Sequence, residues 1–249
     1  MYPLWGATGI SLLVLLPPLF WMTTLPFVTA VFAWSAGPSL FGIGLLFLLL
    51  PAGMGFLLAS GYTLLYLGAV AASSAVGEMH HPRWPDWELS TIASGLARWA
   101  WAGLVGMMVG GLPATYYWVY CGDVDLFDAL ILADLLALGA CYALMGLLAS
   151  ILHEDALAAN PFTVLSAIWR VGWGYLAPCL LAGLAVVLAG TVLAATFETQ
   201  NGALSAFLFW LFWVVVLYES MVVLRVLGLF YRVHARRLGW FRDRTGWGV

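Results

Sequence analysis

Polar positions are so sparse along this chain that the apolar runs between them set its organisation. Six runs, at 10–34, 40–70, 99–120, 127–149, 172–196 and 203–229, are each long enough to cross a hydrocarbon layer, which takes about 20 helical residues. Backbone amides in lipid must bond within their own segment, so runs of this kind predict helices. The fold expected is all-α and integral to the membrane: a single polytopic domain over residues 1–249 with about six transmembrane helices and interfacial amphipathic helices. The second run is too long for one straight span. Its end, Ser60 through Val76, is expected to tilt out along the interface as a small-residue helix, with Pro51 as a kink in the middle.

The polar segments between the runs sort by charge. Arg83 and Arg98 border the segment between runs two and three, and Arg170 borders the one between runs four and five. Arg232, Arg236, Arg237, Arg242 and Arg244 follow run six. The opposite connections hold Asp123, Asp125 and Glu198 and no arginine. Six spans put all the basic regions on one face, which the positive-inside rule makes cytoplasmic together with both termini. MYPLWGATG carries no basic segment and no small-residue cleavage site, so the first run is expected to be a retained span.

An offset of 76 residues aligns Tyr66 with Tyr142, Ser74 with Ser150, Glu78 with Glu154, Pro85 with Pro161, Leu89 with Leu165, Ser90 with Ser166 and Ile92 with Ile168. The pattern predicts a parallel internal repeat, 40–120 against 127–197, related by a pseudo-twofold axis along the membrane normal. In each copy a proline-started amphipathic segment is expected to lie in the interface. Asn160 is the expected N-cap of the second, with Pro161 at its first helical position. Trp84, Trp87, Trp99, Trp101, Trp169 and Trp173 would occupy the headgroup region, a depth that suits an apolar ring bearing one N–H.

Composition agrees: 64% of residues are hydrophobic, 8% are charged and the mean hydropathy is +0.99, values that no water-soluble core of this size accommodates. The nine basic residues are all arginine. Cys121, Cys141 and Cys179 have no CxxC spacing and read as small packing residues, so no disulfide framework is indicated.

Candidate chemistry begins with charges inside the runs, because an ionisable group in hydrocarbon is costly and tends to mark function. Asp134 and Glu219 are the carboxylates, with Arg225 following Glu219. They could form a proton or substrate site between runs four and six. Alternatively Glu219 could be a structural partner of Arg98, Arg170 or Arg225. The segment GEMHHPRWPDWE gathers Glu78, His80, His81, Asp86 and Glu88, but adjacent histidines cannot face one helical site and no HExxH spacing occurs, so no metal is expected. All four histidines lie at or beyond the cytoplasmic boundary, which argues against haem, and no other cofactor is expected. Phosphate-cradling GxxxxGK[ST] and GxSxG motifs are absent, leaving no catalytic residue to name. Gly106 and Gly110 form a GxxxG pair suited to close helix packing. The basic tail over 230–249, with Arg232, Arg236, Arg237 and Trp240, is expected to dock on anionic lipid headgroups.

Gly61-Tyr62 near the end of a run, followed by the turn Pro82-Arg83-Trp84-Pro85-Asp86-Trp87, resembles a family of prokaryotic polytopic membrane proteins marked by a Gly-Tyr span end and a Pro-Glu-Trp-like interfacial turn. NPFTVLSAIWR and RVLGLFYRVHARRLGW extend the resemblance over roughly residues 40–240. It implies a helical fold in a bacterial inner membrane and brings no established reaction. With no catalytic constellation but many interfacial aromatics and small-residue faces, the leading expectation is a non-enzymatic scaffold or accessory subunit. Its expected partners are lipids and either a protein or further copies of the chain, and nucleic acid is not among them. The alternatives are a small transporter with a site between the repeats, and a metal-dependent enzyme acting on lipid through His80, His81, Asp86 and Glu88.

Overall fold

The computed structural model describes residues 7–35, 40–77, 85–122, 124–199 and 201–240, and these are helical almost throughout, with no strand. The helices are α1 (Ala7–Ser35), α2 (Leu40–Val76), α3 (Leu89–Gly106), α4 (Leu112–Cys121), α5 (Leu126–His153), α6 (Pro161–Val171), α7 (Leu176–Glu198) and α8 (Gly202–Leu238). A π-helical turn, Met107–Gly111, joins α3 to α4 without a break. Short 3-10 turns, Ala156–Ala159 and Gly172–Tyr175, precede and follow α6. Five helical stretches among the described residues are long and apolar enough to cross a membrane: Leu49–Val76, Leu89–Cys121, Leu126–His153, Pro161–Glu198 and Gly202–Leu238. The first helix adds a shorter apolar stretch, Leu13–Phe27.

Local chemistry sets the ends. Asp125 and Asp128 form a reciprocal capping box at α5: the Asp128 amide donates to the Asp125 carboxylate at 2.8 Å, and the Asp125 amide donates to that of Asp128 at 3.2 Å. Asn160 accepts from the Thr163 amide at 2.9 Å with Pro161 at the first helical position. The Asn201 side chain accepts from the Ala203 amide at 3.0 Å to open α8. Gly172, at φ 64, breaks α6 from α7, a conformation that glycine adopts without steric cost. In the first half Pro85 lies in extended chain four residues ahead of α3 and starts no helix, and α3 runs into α4 with no elbow. The proline-started segment therefore exists only in the second half.

The Ser60–Val76 segment does not leave α2 for the interface. It continues the same helix and is its most buried part, with Tyr66, Val70 and Ala71 in the core. What holds it is α8, which runs parallel to it: a methyl on Gly228 would lie 2.7 Å from the Ser74 Cβ and 3.1 Å from the Ala75 amide nitrogen. Pro51 lies inside α2 without ending it.

The core forms where α2, α5 and α8 meet, around Tyr66, Val70, Tyr142, Met145, Leu148, Met221 and Leu227. It is displaced toward one end of the bundle. Buried positions in α5 begin only at Gly139 and in α8 only at Leu217, and α7 buries only Pro178 and Thr196. The same closed end collects the basic residues. The Arg232 guanidinium lies against Gly77. Arg170 Nη1 donates to the Leu238 carbonyl at 3.0 Å, and Trp240 stacks on Tyr231 with ring centroids 5.7 Å apart. Toward the other end few positions of α5 and α8 are buried.

Some residues offset by 76 share a setting, while Ile92 is buried and Ile168 is only partly so. Tyr66 and Tyr142 are both buried, at 1% and 2% exposure. The hydroxyls of Ser74 and Ser150, both buried, donate to backbone carbonyls of their own helices, Val70 at 2.7 Å and Leu147 at 2.9 Å. Leu89 and Leu165 are both exposed.

Candidate functional site

An open groove of about 410 Å³ lies between α5, α7 and α8. Its α7 wall is mostly small, from Ala182, Ala185, Val186, Ala189 and Gly190; α8 contributes Phe212, Val216, Glu219, Ser220, Val223 and Leu224. Leu144 and Leu147 of α5 form the third side, and Trp99 of α3 stands at the groove as well. Small side chains on α7 leave the space, because a helix whose lining is mostly alanine and glycine cannot fill the distance to its neighbours. Among the lining residues Glu219 brings the one carboxylate and Ser220 a hydroxyl to a wall that is mostly apolar.

None of the three partners considered for Glu219 meets it, and it makes no hydrogen bond or ion pair with any described residue. Arg170 is engaged with Leu238, and Arg98 donates to Ser94 at 3.3 Å beside a separate cavity of about 230 Å³ between α2, α3 and α5. Arg225 is six residues along α8, which at about 100° per residue turns it well away from the groove. Asp134 is not in the groove either. It is exposed on the open half of α5 and bonds to no described residue, so the two intramembrane carboxylates do not form one site.

Of the interfacial motif, Pro85 and Trp87 meet Tyr62 of α2. Tyr62 Oη donates to the Pro85 carbonyl at 3.1 Å, and its ring stacks on Trp87 with centroids 4.2 Å apart and planes 12° from parallel. Gly61 is required beside it, since a methyl there would lie 2.5 Å from Ile92 Cγ2 and 2.9 Å from Leu96 Cδ1 of α3. Asp86 and Glu88 are exposed; Glu78, His80, His81 and Trp84 lie outside the described residues. On α6 the Val164, Ala167 and Val171 face is buried, while Phe162 and Trp169 are 88% and 89% exposed, as an interfacial helix requires. Of the tail, Arg232, Arg236 and Arg237 are exposed. Trp240 instead folds back on the protein, its ring centroid 5.5 Å from His153 as well as stacked on Tyr231.

Two contacts were not anticipated from the sequence. The thiols of Cys141 on α5 and Cys179 on α7 are neighbours, next to a Tyr175 hydroxyl that donates to the Cys141 carbonyl at 2.6 Å. Nothing in a separation of 38 residues signals that pair. At the open end Tyr117 Oη donates to Asp128 at 2.7 Å, and the Cys121 thiol lies 3.6 Å from the same oxygen. The capping acid was recognisable there from its spacing to Asp125; its tyrosine partner was not. No family model, curated protein or solved structure matches the chain.

Proposed function

We propose that the protein is a non-enzymatic, multi-pass subunit of a bacterial inner-membrane complex, with its basic end and both termini cytoplasmic, and that it works by association with a partner membrane protein. The observation that carries this reading is Asp134. It sits eight residues, thus about 12 Å, into α5, on a half-helix with no buried residue, facing outward. A carboxylate presented to lipid at that depth costs about 2.5–3.5 kcal/mol, a cost that disappears when another helix supplies a donor. The neighbouring α4 is also uncovered, with Tyr116, Trp118, Val119 and Tyr120 all exposed. A second copy in parallel orientation would bring no arginine to this level, because the described arginines lie toward the closed end. The partner expected is a different chain whose transmembrane helix carries Lys, Arg or an amide at the depth of Asp134. The matched burial of Tyr66 with Tyr142 and of Ser74 with Ser150 supports a duplicated parallel repeat as the scaffold, and the Gly-Tyr and turn motifs support the family resemblance.

Native mass spectrometry after extraction in mild detergent tests this. The expected result is a stoichiometric heteromeric complex for the natural chain and its loss for Asp134→Leu, with helicity unchanged. A lone chain, a homo-oligomer, or a complex indifferent to Asp134→Leu would overturn it. A transporter is the second reading, favoured by the unpaired Glu219 in its groove; uptake unchanged by Glu219→Gln at normal expression would remove it.

A further inference from the structure

We infer that the groove at Glu219 binds a lipophilic monocation: one amine, quaternary ammonium or phosphonium centre on an apolar body. The inference concerns binding alone and is independent of the association through Asp134, which lies on another surface.

Size and shape come first. A volume of about 410 Å³ lies within the range of sites that take small organic molecules. Phe212 and Leu224 both line the groove and are twelve residues apart on α8, so it extends about 18 Å along that helix. Its α7 side is smooth and carries no polar side chain, so a body held there must be apolar. Sugars, nucleotides and amino acids would bury hydroxyls or amides that this wall cannot pair.

Charge selects the sign. Glu219 has no cationic partner among the described residues, and in a low-dielectric setting a carboxylate is stabilised by an opposite charge brought to it. An anionic ligand would be repelled. A divalent metal would need several oxygen ligands, and beside Glu219 the groove offers only the Ser220 hydroxyl. A single positive centre needs no more than one carboxylate. Trp99 and Phe212, which also line the groove, are aromatic side chains of the kind that attract ammonium and phosphonium centres.

The test is equilibrium dialysis of labelled tetraphenylphosphonium against the purified full-length chain in a nonionic detergent. The expected result is saturable binding of one probe per chain, weakened about tenfold or more by Glu219→Gln. Gly190→Leu should abolish it by filling the groove; Gly190 tolerates a side chain because a methyl there meets nothing within 4 Å. Tetraphenylborate, of the same shape and opposite charge, should not compete. Equal binding of the two ions, equal affinity of the natural chain and Glu219→Gln, or no saturable binding would overturn the proposal. Displacement of the probe by added phosphatidylethanolamine would assign the groove to a lipid instead and overturn it as well. Loss of the heteromeric complex in Asp134→Leu with probe binding intact would separate this site from the association surface.

Discussion

Arg170, the next-to-last residue of α6, donates a 3.0 Å hydrogen bond to the carbonyl of Leu238, the last residue of α8, across 68 positions of sequence. That carbonyl is one of the groups a helix C-terminus leaves without an intrahelical partner, and a guanidinium there answers both the hydrogen-bond deficit and the negative end of the helix dipole. Arg170→Ala should therefore loosen the end of α8 while leaving the bundle folded. The expected cost is about 1 kcal/mol, the low end for a charge-assisted bond because Arg170 is exposed. Hydrogen exchange checks it: amides over 232–240 should exchange faster in Arg170→Ala, those of α5 should not change, and Arg170→Lys should recover part of the protection.

Glycine positions divide sharply by what lies opposite. Gly110 faces Gly139, and a methyl on Gly110 would lie 2.6 Å from the Gly139 amide nitrogen and 2.7 Å from its Cα. A methyl on Gly106 would lie 2.8 Å from the Gly139 carbonyl oxygen, so the GxxxG pair is spent on packing the π turn and α3 against α5 within one chain. Backbone atoms cannot give way as a flexible side chain can. Gly110→Leu or Gly139→Leu should cost about 1–3 kcal/mol or more, lowering the apparent Tm in detergent by several degrees. Gly183→Leu on α7, where a methyl meets nothing within 4 Å, should leave the Tm unchanged. If both classes behave alike, the α3–α5 contact is not as described.

Much of this arrangement could be read from the sequence, for identifiable reasons. Lipid forces every apolar run to bond within itself, so the runs became helices close to where their polar ends placed them. Asn160 announced α6 because a side-chain cap acts within three residues, whereas the cap that Asp125 forms on α5 went unread. What escaped was which side a helix presents. The end of α2 reads as an interfacial segment because alanine and serine suit that setting as well as a tight helix contact; Gly228, some 155 residues away, decides between them. The outward direction of Asp134 was equally hidden, since α5 is apolar all round and has no stripe to point at its neighbours. Glu219 and Arg225 look like a pair along the chain, yet helical geometry turns them apart.

The Cys141–Cys179 contact gives the most direct check on how α7 sits against α5. Apart from the α8 face, α7 is held by little, and its window of greatest hydropathy is only 6% buried. The placement of α7 also fixes the groove, because Ala182 to Gly190 follow Cys179 within the next three turns. Dibromobimane joins two thiols only when they lie within a few ångströms and becomes fluorescent when both arms have reacted. Treatment of the natural chain should label one pair within the chain, and peptide mapping should locate it at Cys141 and Cys179. Cys141→Ser and Cys179→Ser should each abolish the doubly reacted product, and Cys121→Ser should not, since that thiol stands beside Asp128 in another part of the fold. Both thiols are half-buried and small, so each serine variant should lose no more than about 1 kcal/mol of stability. A doubly reacted product that persists in Cys179→Ser would mean that α7 is displaced from α5, and the groove at Glu219 would then have a different wall.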